Sequence, residues 1–188
     1  MRRFAPMFLC AVLLAGCSVS GGGNTTKDTS ESLVTVTSVT ATGTTQSIVT
    51  SDVSTGTSDL VDVKFQNQTK SASITNPSPF FGVTLTRYRV TFRRGDGGPV
   101  PAPVDGAMSV FIPPPSTTTT GGTTTTTAGT ASATIVIVPA NAKGVSPLID
   151  LEGGQSFSAN ATITFDGQDG LGRELSATGG IAVIFRRP

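Results

Sequence analysis

Residues 156–166 read Ser156-Phe157-Ser158-Ala159-Asn160-Ala161-Thr162-Ile163-Thr164-Phe165-Asp166, with apolar side chains at the odd positions and polar ones at the even positions. A period of two sustained over such a length is the pattern of a strand with one face buried and one in water. Leu175, Ala177, Ile181, Val183 and Phe185 repeat it over 174–186, and Asp169-Gly170-Leu171-Gly172 stands between the two runs. Asp-Gly with a second glycine nearby is turn chemistry, so the spacing predicts a long antiparallel hairpin at the C-terminus.

Six further strands are expected upstream, at about 33–40, 46–53, 59–66, 81–93, 107–112 and 132–138, the second being the weakest. In 59–66, Val61, Val63 and Phe65 share a face opposite Asp62, Lys64 and Gln66. In 81–93 the apolar positions change parity, from Val83 and Leu85 to Tyr88, Val90 and Phe92, which predicts a β-bulge near Thr86-Arg87. Arg87, Arg89 and Arg93 then fall on the solvent side, where charge blunts edge pairing. Residues 132–138 end apolar on both parities, the pattern of a central strand covered on both faces.

Between the strands, Pro99, Pro101 and Pro103 keep 99–104 out of a central ladder. The threonine tract 117–127, broken by Gly121-Gly122 and preceded by Pro113-Pro114-Pro115, has nothing to bury, so 113–130 is expected to be an exposed, mobile loop. In the loop 139–155, Leu148-Ile149-Asp150-Leu151 is expected to tuck under a sheet edge. No stretch of ten or more residues from Leu33 onward has a helical period. The expected fold is all-β: an immunoglobulin-like two-sheet antiparallel sandwich of seven to eight strands, without the Cys, Trp, Cys spacing of antibody domains. With every strand reversing direction, 41–45, 67–80, 113–131 and 167–173 share one end and the chain enters from the other.

The first residues carry a different signal. Arg2 and Arg3 precede an apolar run from Phe4 to Gly16 that is too short to span a bilayer, which takes ~20 residues, and has the layout of a secretory signal. Directly after it, Leu14-Ala15-Gly16-Cys17 resembles the lipobox of bacterial lipoproteins. The resemblance covers the first 17 or so residues and implies residues 1–16 as a signal peptide, with diacylglycerol on the Cys17 sulfur and often a third acyl chain on its amine. Two or three chains make a stable anchor at ~0.8 kcal/mol per buried CH₂. In that class an aspartate after the cysteine favours retention in the inner membrane; Ser18 stands here, which favours the outer membrane of a two-membrane cell. The other reading of the same residues is an ordinary cleaved signal with Cys17 incidental. Residues 17–32 are then the lipidated cysteine and a flexible tether spanning ~20 Å, and 33–188 the sandwich domain.

Removing 1–16 takes away two of the 13 basic residues and none of the 12 acidic ones, leaving 11 against 12 and no field for nucleic acid. Cys10 leaves with the signal and Cys17 is acylated, so the domain has no thiol for a disulfide. The chain has no His, which removes Ser/His/Asp and Cys/His catalysis and the usual transition-metal ligands; no cofactor is expected and no enzyme. Asp166 and Asp169, three apart in a Gly-rich turn, are a weak calcium candidate without the loop length or closing glutamate of an EF-hand. These readings lead to a lipid-anchored structural or protein-interaction module whose partners are the membrane and another envelope protein. The alternative is a small-ligand or carbohydrate-binding lipoprotein, for which the absence of Trp and a single Tyr leave few aromatic platforms.

Overall fold

The computed structural model describes residues 29–71, 74 and 77–188. The lipobox and Cys17 lie outside these residues. Ten strands are present: β1 (Ser32–Ala41), β2 (Ile48–Asp52), β3 (Asp59–Thr69), β4 (Val83–Arg93), β5 (Val104–Ile112), β6 (Ser116–Thr120), β7 (Thr123–Thr127), β8 (Gly129–Val138), β9 (Ser156–Asp169) and β10 (Glu174–Arg186). Two short 3-10 turns, Pro79–Phe81 and Ala140–Gly144, are the helical elements among the described residues.

The chain is all-β and sandwich-like, with one sheet curled. A three-stranded sheet has the order β1-β3-β8 and a five-stranded sheet the order β2-β10-β9-β4-β5. The terminal hairpin forms as the alternation predicts: Phe165 pairs with Ala177, Ala161 with Ile181, and Ala159 with Val183. Ile163, Phe165, Val183 and Phe185 are completely buried. Against them pack Val61, Val63 and Phe65 of β3, with the Phe65 and Phe165 rings edge to face at 4.9 Å. The predicted bulge is in β4, whose register shifts between Leu85 and Arg87 against both neighbours, and both parities of apolar side chain reach the core. Leu148 is fully buried as expected, while Ile149 is 49% exposed.

Four expectations need correction. The threonine tract is a hairpin, β6 paired to β7, closed by Gly121 and Gly122 at φ 59° and 81°. Two successive positive φ values make the type I′ turn that suits strand twist, and threonine favours extended backbone, so the ribbon forms with almost every residue in water. Secondly, β8 is not a central strand: its one strand partner is β3, while Ile135, Ile137 and Val138 are buried in the core, where β5 of the other sheet packs against it. Thirdly, β4 is interior, between β9 and β5, so Arg87 and Arg89 blunt no edge. They pair across strands instead, Arg87 with Asp166 at 3.0 Å and Arg89 with Asp105 at 2.7 Å, exposed bridges that water screens.

The fourth correction concerns strand direction. β2 pairs parallel with β10, Val49 opposite Val183 and Ser51 opposite Phe185, so the sandwich is not wholly antiparallel. The turn after β1 is tied by Ala41 N–H to Gln46 O at 2.9 Å, and the chain then continues in the same direction on the other sheet. One reversal fewer moves the chain's entry to the other end. Thr29 N–H bonds to Glu174 O at 3.3 Å, so residues 29–31 lie beside 70–71, 80–82, 113–115 and 170–173, while 53–58, 94–103 and 139–155 occupy the opposite end.

Candidate functional site

The entry end is where the structure concentrates buried polar chemistry. Asp169 closes β9 with its side chain turned inward, fully removed from solvent. Its Oδ1 accepts from the N–H groups of Leu171 at 2.9 Å and Arg173 at 3.0 Å, which fixes the tip of the hairpin. Its Oδ2 accepts from Ser30 Oγ at 2.7 Å and Arg173 Nε at 3.1 Å. Burial alone would push this carboxyl up; the Arg173 N–H, the Ser30 hydroxyl, the Leu171 N–H and the Arg173 charge outweigh it and hold the pKa below its ordinary value.

Residues 29–32 are thereby latched to the domain. Ser30 and Ser32 are buried, Lys70 N–H bonds to Glu31 O at 2.9 Å, and Lys70 Nζ donates to Ser30 O. Buried Asn67 completes the network, its Nδ2 donating to Phe81 O at 2.7 Å and Pro113 O at 3.0 Å. Ser32 Oγ donates to the same Phe81 carbonyl at 2.9 Å. Five separated segments of sequence are thus held together by side chains that periodicity does not mark.

Asp166 lies on the outer face of β9 and Asp169 on the inner one. The two carboxylates do not converge on one ion, and each is answered by an arginine, Arg87 or Arg173. The two residues of the calcium candidate thus stand on opposite faces, because in an extended strand residues three apart point to opposite sides. Among the described residues no three His, Cys, Asp or Glu side chains come together. A cleft beside the bulge, about 240 Å³, is lined by Thr86, Arg87, Asp166, Gln168 and Glu174, and its central charges are already paired.

At the opposite end, Lys143 is 3% exposed, donating to Asp52 O at 2.9 Å and pairing with Asp59 at 3.1 Å. The contact pins the 3-10 turn of the 139–155 loop onto β2 and β3. Nearby, the Arg94 guanidinium and the Gly98 N–H hold the Asp96 carboxyl at about 2. Both are structural uses of charge, with every partner within the loop or the adjoining strands.

Large apolar side chains in water complete the inventory of the entry end: Phe80 at 57%, Phe111 at 61% and Leu171 at 55% exposure. No family model matches the chain, and neither does any curated protein. Among solved structures it is similar to a candidate ApaA protein from Bordetella pertussis, 11% identical over 84% of this chain and 94% of that one, with a TM-score of 0.32. It is also similar to a structural-genomics target solved by X-ray, 12% identical over 84% of this chain and 88% of that one, with a TM-score of 0.33.

Proposed function

We propose that the chain is a lipid-anchored envelope domain, held by acyl chains on Cys17 and acting as a non-catalytic structural or protein-interaction module on an outer membrane. The observation that carries the reading is Leu14-Ala15-Gly16-Cys17 directly after a short apolar run with two leading arginines. The buried attachment of residues 29–32 supports it, since an anchored domain needs its N-terminal segment fastened to the fold. The absence of His and of a thiol beyond Cys17 in the processed chain supports a binding rather than a catalytic role.

The sandwich is read as immunoglobulin-like. Sheets ordered β1-β3-β8 and β10-β9-β4-β5 correspond to the A-B-E and G-F-C-C′ arrangement of that class, with β2 as a first strand that has crossed sheets to lie parallel to the last. Metabolic labelling with a clickable fatty acid tests the anchor: wild type is expected to be labelled and Cys17→Ser not, and equal labelling of both would end the proposal. Crosslinking in native membranes with mass spectrometry tests the module. One recurrent envelope protein is the expected product, whereas binding to a glycan array without any crosslinked protein would favour the carbohydrate reading.

A further inference from the structure

The geometry points to a second contact with the lipid bilayer, made by the fold itself: Leu171, Phe80 and Phe111 form an apolar edge that lies against the membrane surface beside the entry of the chain. The inference rests on the lipid-anchor reading.

The three side chains stand in a row at one end of adjacent strands. Leu171 is at the β9–β10 tip, Phe80 just before β4, and Phe111 near the end of β5, in a sheet ordered β9-β4-β5. Two inter-strand spacings separate the ends of the row, about 10 Å. The Gly170 N–H bonds to Phe80 O at 2.9 Å, which fixes Phe80 beside Leu171. The Phe111 ring lies over Gly82, where an added Cβ would meet it at 2.8 Å. Phe111 is held by β5, Phe80 by the 3-10 turn that the Gly170 N–H ties down, and Leu171 by the hairpin tip that Asp169 closes, and an exposed apolar row fixed in this way marks an interaction surface.

Chain length decides what covers it. Eleven residues separate Cys17 from Thr29, so the acyl-bearing residue sits at most about 40 Å from the entry end. β9 alone, with 14 residues, runs about 45 Å to the opposite end. Acyl chains in the bilayer therefore keep the entry end within about 40 Å of the lipid, and it is the end that the anchor holds toward the membrane. The threonine ribbon carries no charge. At this end Arg173 pairs with Asp169 and Lys70 Nζ donates to Ser30 O, so the contact is read as apolar and indifferent to lipid charge.

The test uses the full acylated protein in neutral phosphatidylcholine vesicles, in a Cys10→Ser background. An environment-sensitive fluorophore is placed at Leu171→Cys, Phe111→Cys or, at the opposite end, Val145→Cys, which is 60% exposed. The expected result is a twofold or larger rise in emission at positions 171 and 111, quenched by nitroxide lipids and unchanged in 0.5 M salt, with no response at 145. Flotation of the vesicles with a silent 171 and 111, or equal responses at both ends, overturns the membrane edge and leaves the anchor standing. Enhancement without quenching by nitroxide lipid overturns it in favour of a protein contact, a second copy included. Failure to float, with Cys17→Ser behaving as wild type, overturns the anchor and the edge together.

Discussion

Replacing Asp169 tests whether the entry latch supports the fold. Its carboxylate accepts four hydrogen bonds, from Ser30 Oγ, the N–H groups of Leu171 and Arg173, and Arg173 Nε, all between 2.7 and 3.1 Å. Asp169→Ala strands those donors, and a buried donor left without an acceptor costs ~1–3 kcal/mol. Arg173 is partly exposed and regains water, so the four do not add in full, and ~3–5 kcal/mol is the expected loss, the range for breaking a buried ion pair. Asp169→Asn keeps one oxygen for the two turn amides and is expected to lose ~2 kcal/mol, having given up its charge-assisted partners. Urea unfolding followed by tryptophan-free circular dichroism reads both values. The pH dependence has a fixed sign: the folded pKa lies below the ordinary 3.8, so the carboxylate's stabilising contribution is complete above that value and is lost as pH falls through the lowered folded pKa. The stability gap between wild type and Asp169→Asn is therefore expected to be flat above about pH 5 and to narrow below 3.8. A loss under ~0.5 kcal/mol for Asp169→Ala, or a gap that does not change at low pH, would refute the latch.

Ile163→Ala, at a fully buried position, is expected to cost ~2–5 kcal/mol in the same assay, and a loss below ~0.5 kcal/mol would place that face of β9 in water. Gly167→Ala puts a Cβ 2.3 Å from Thr84 O, backbone that cannot yield, and is expected to cost ~1–3 kcal/mol, whereas Gly56→Ala, with open space around it, is expected to change little. Lys143→Met leaves Asp59 without its partner and is expected to cost ~3 kcal/mol; amide exchange should then rise across 139–151 before the core opens, and unchanged exchange there would mean that Lys143 does not hold the loop.

What the sequence reveals of this fold follows the burial of one sheet face. The terminal hairpin and the β4 bulge are legible because moving a strand by one residue would turn Ile163, Phe165 or Tyr88 into water, so their parity records the register. The ribbon β6–β7 buries nothing and leaves no such record; its only signal is Gly121-Gly122 between threonines, a primed turn flanked by strand formers, and composition hides it. The latch is also silent, because Ser30 and Asp169 are 139 positions apart and each reads alone as a tether or turn residue.

Direction is the property that periodicity cannot carry at all. An alternating pattern is the same read forwards or backwards, so Val49, Ser51 and Val53 place a buried face on β2 and leave open whether it runs with or against β10. Counting reversals supplies direction only when each connection is a hairpin, and the turn at 42–47 is not one: it carries the chain from the edge of one sheet to the edge of the other without turning it back. From β3 onward each strand keeps its relation to its neighbours, so the described residues of 67–80, 113–131 and 167–173 still fall together, whereas the turn at 41–45, whose Thr42 N–H bonds to Leu60 O, lies toward the other end. The inverted relation that matters is between those ends and the point where the chain enters, and on the lipid-anchored reading proposed above it decides which loops would face the bilayer.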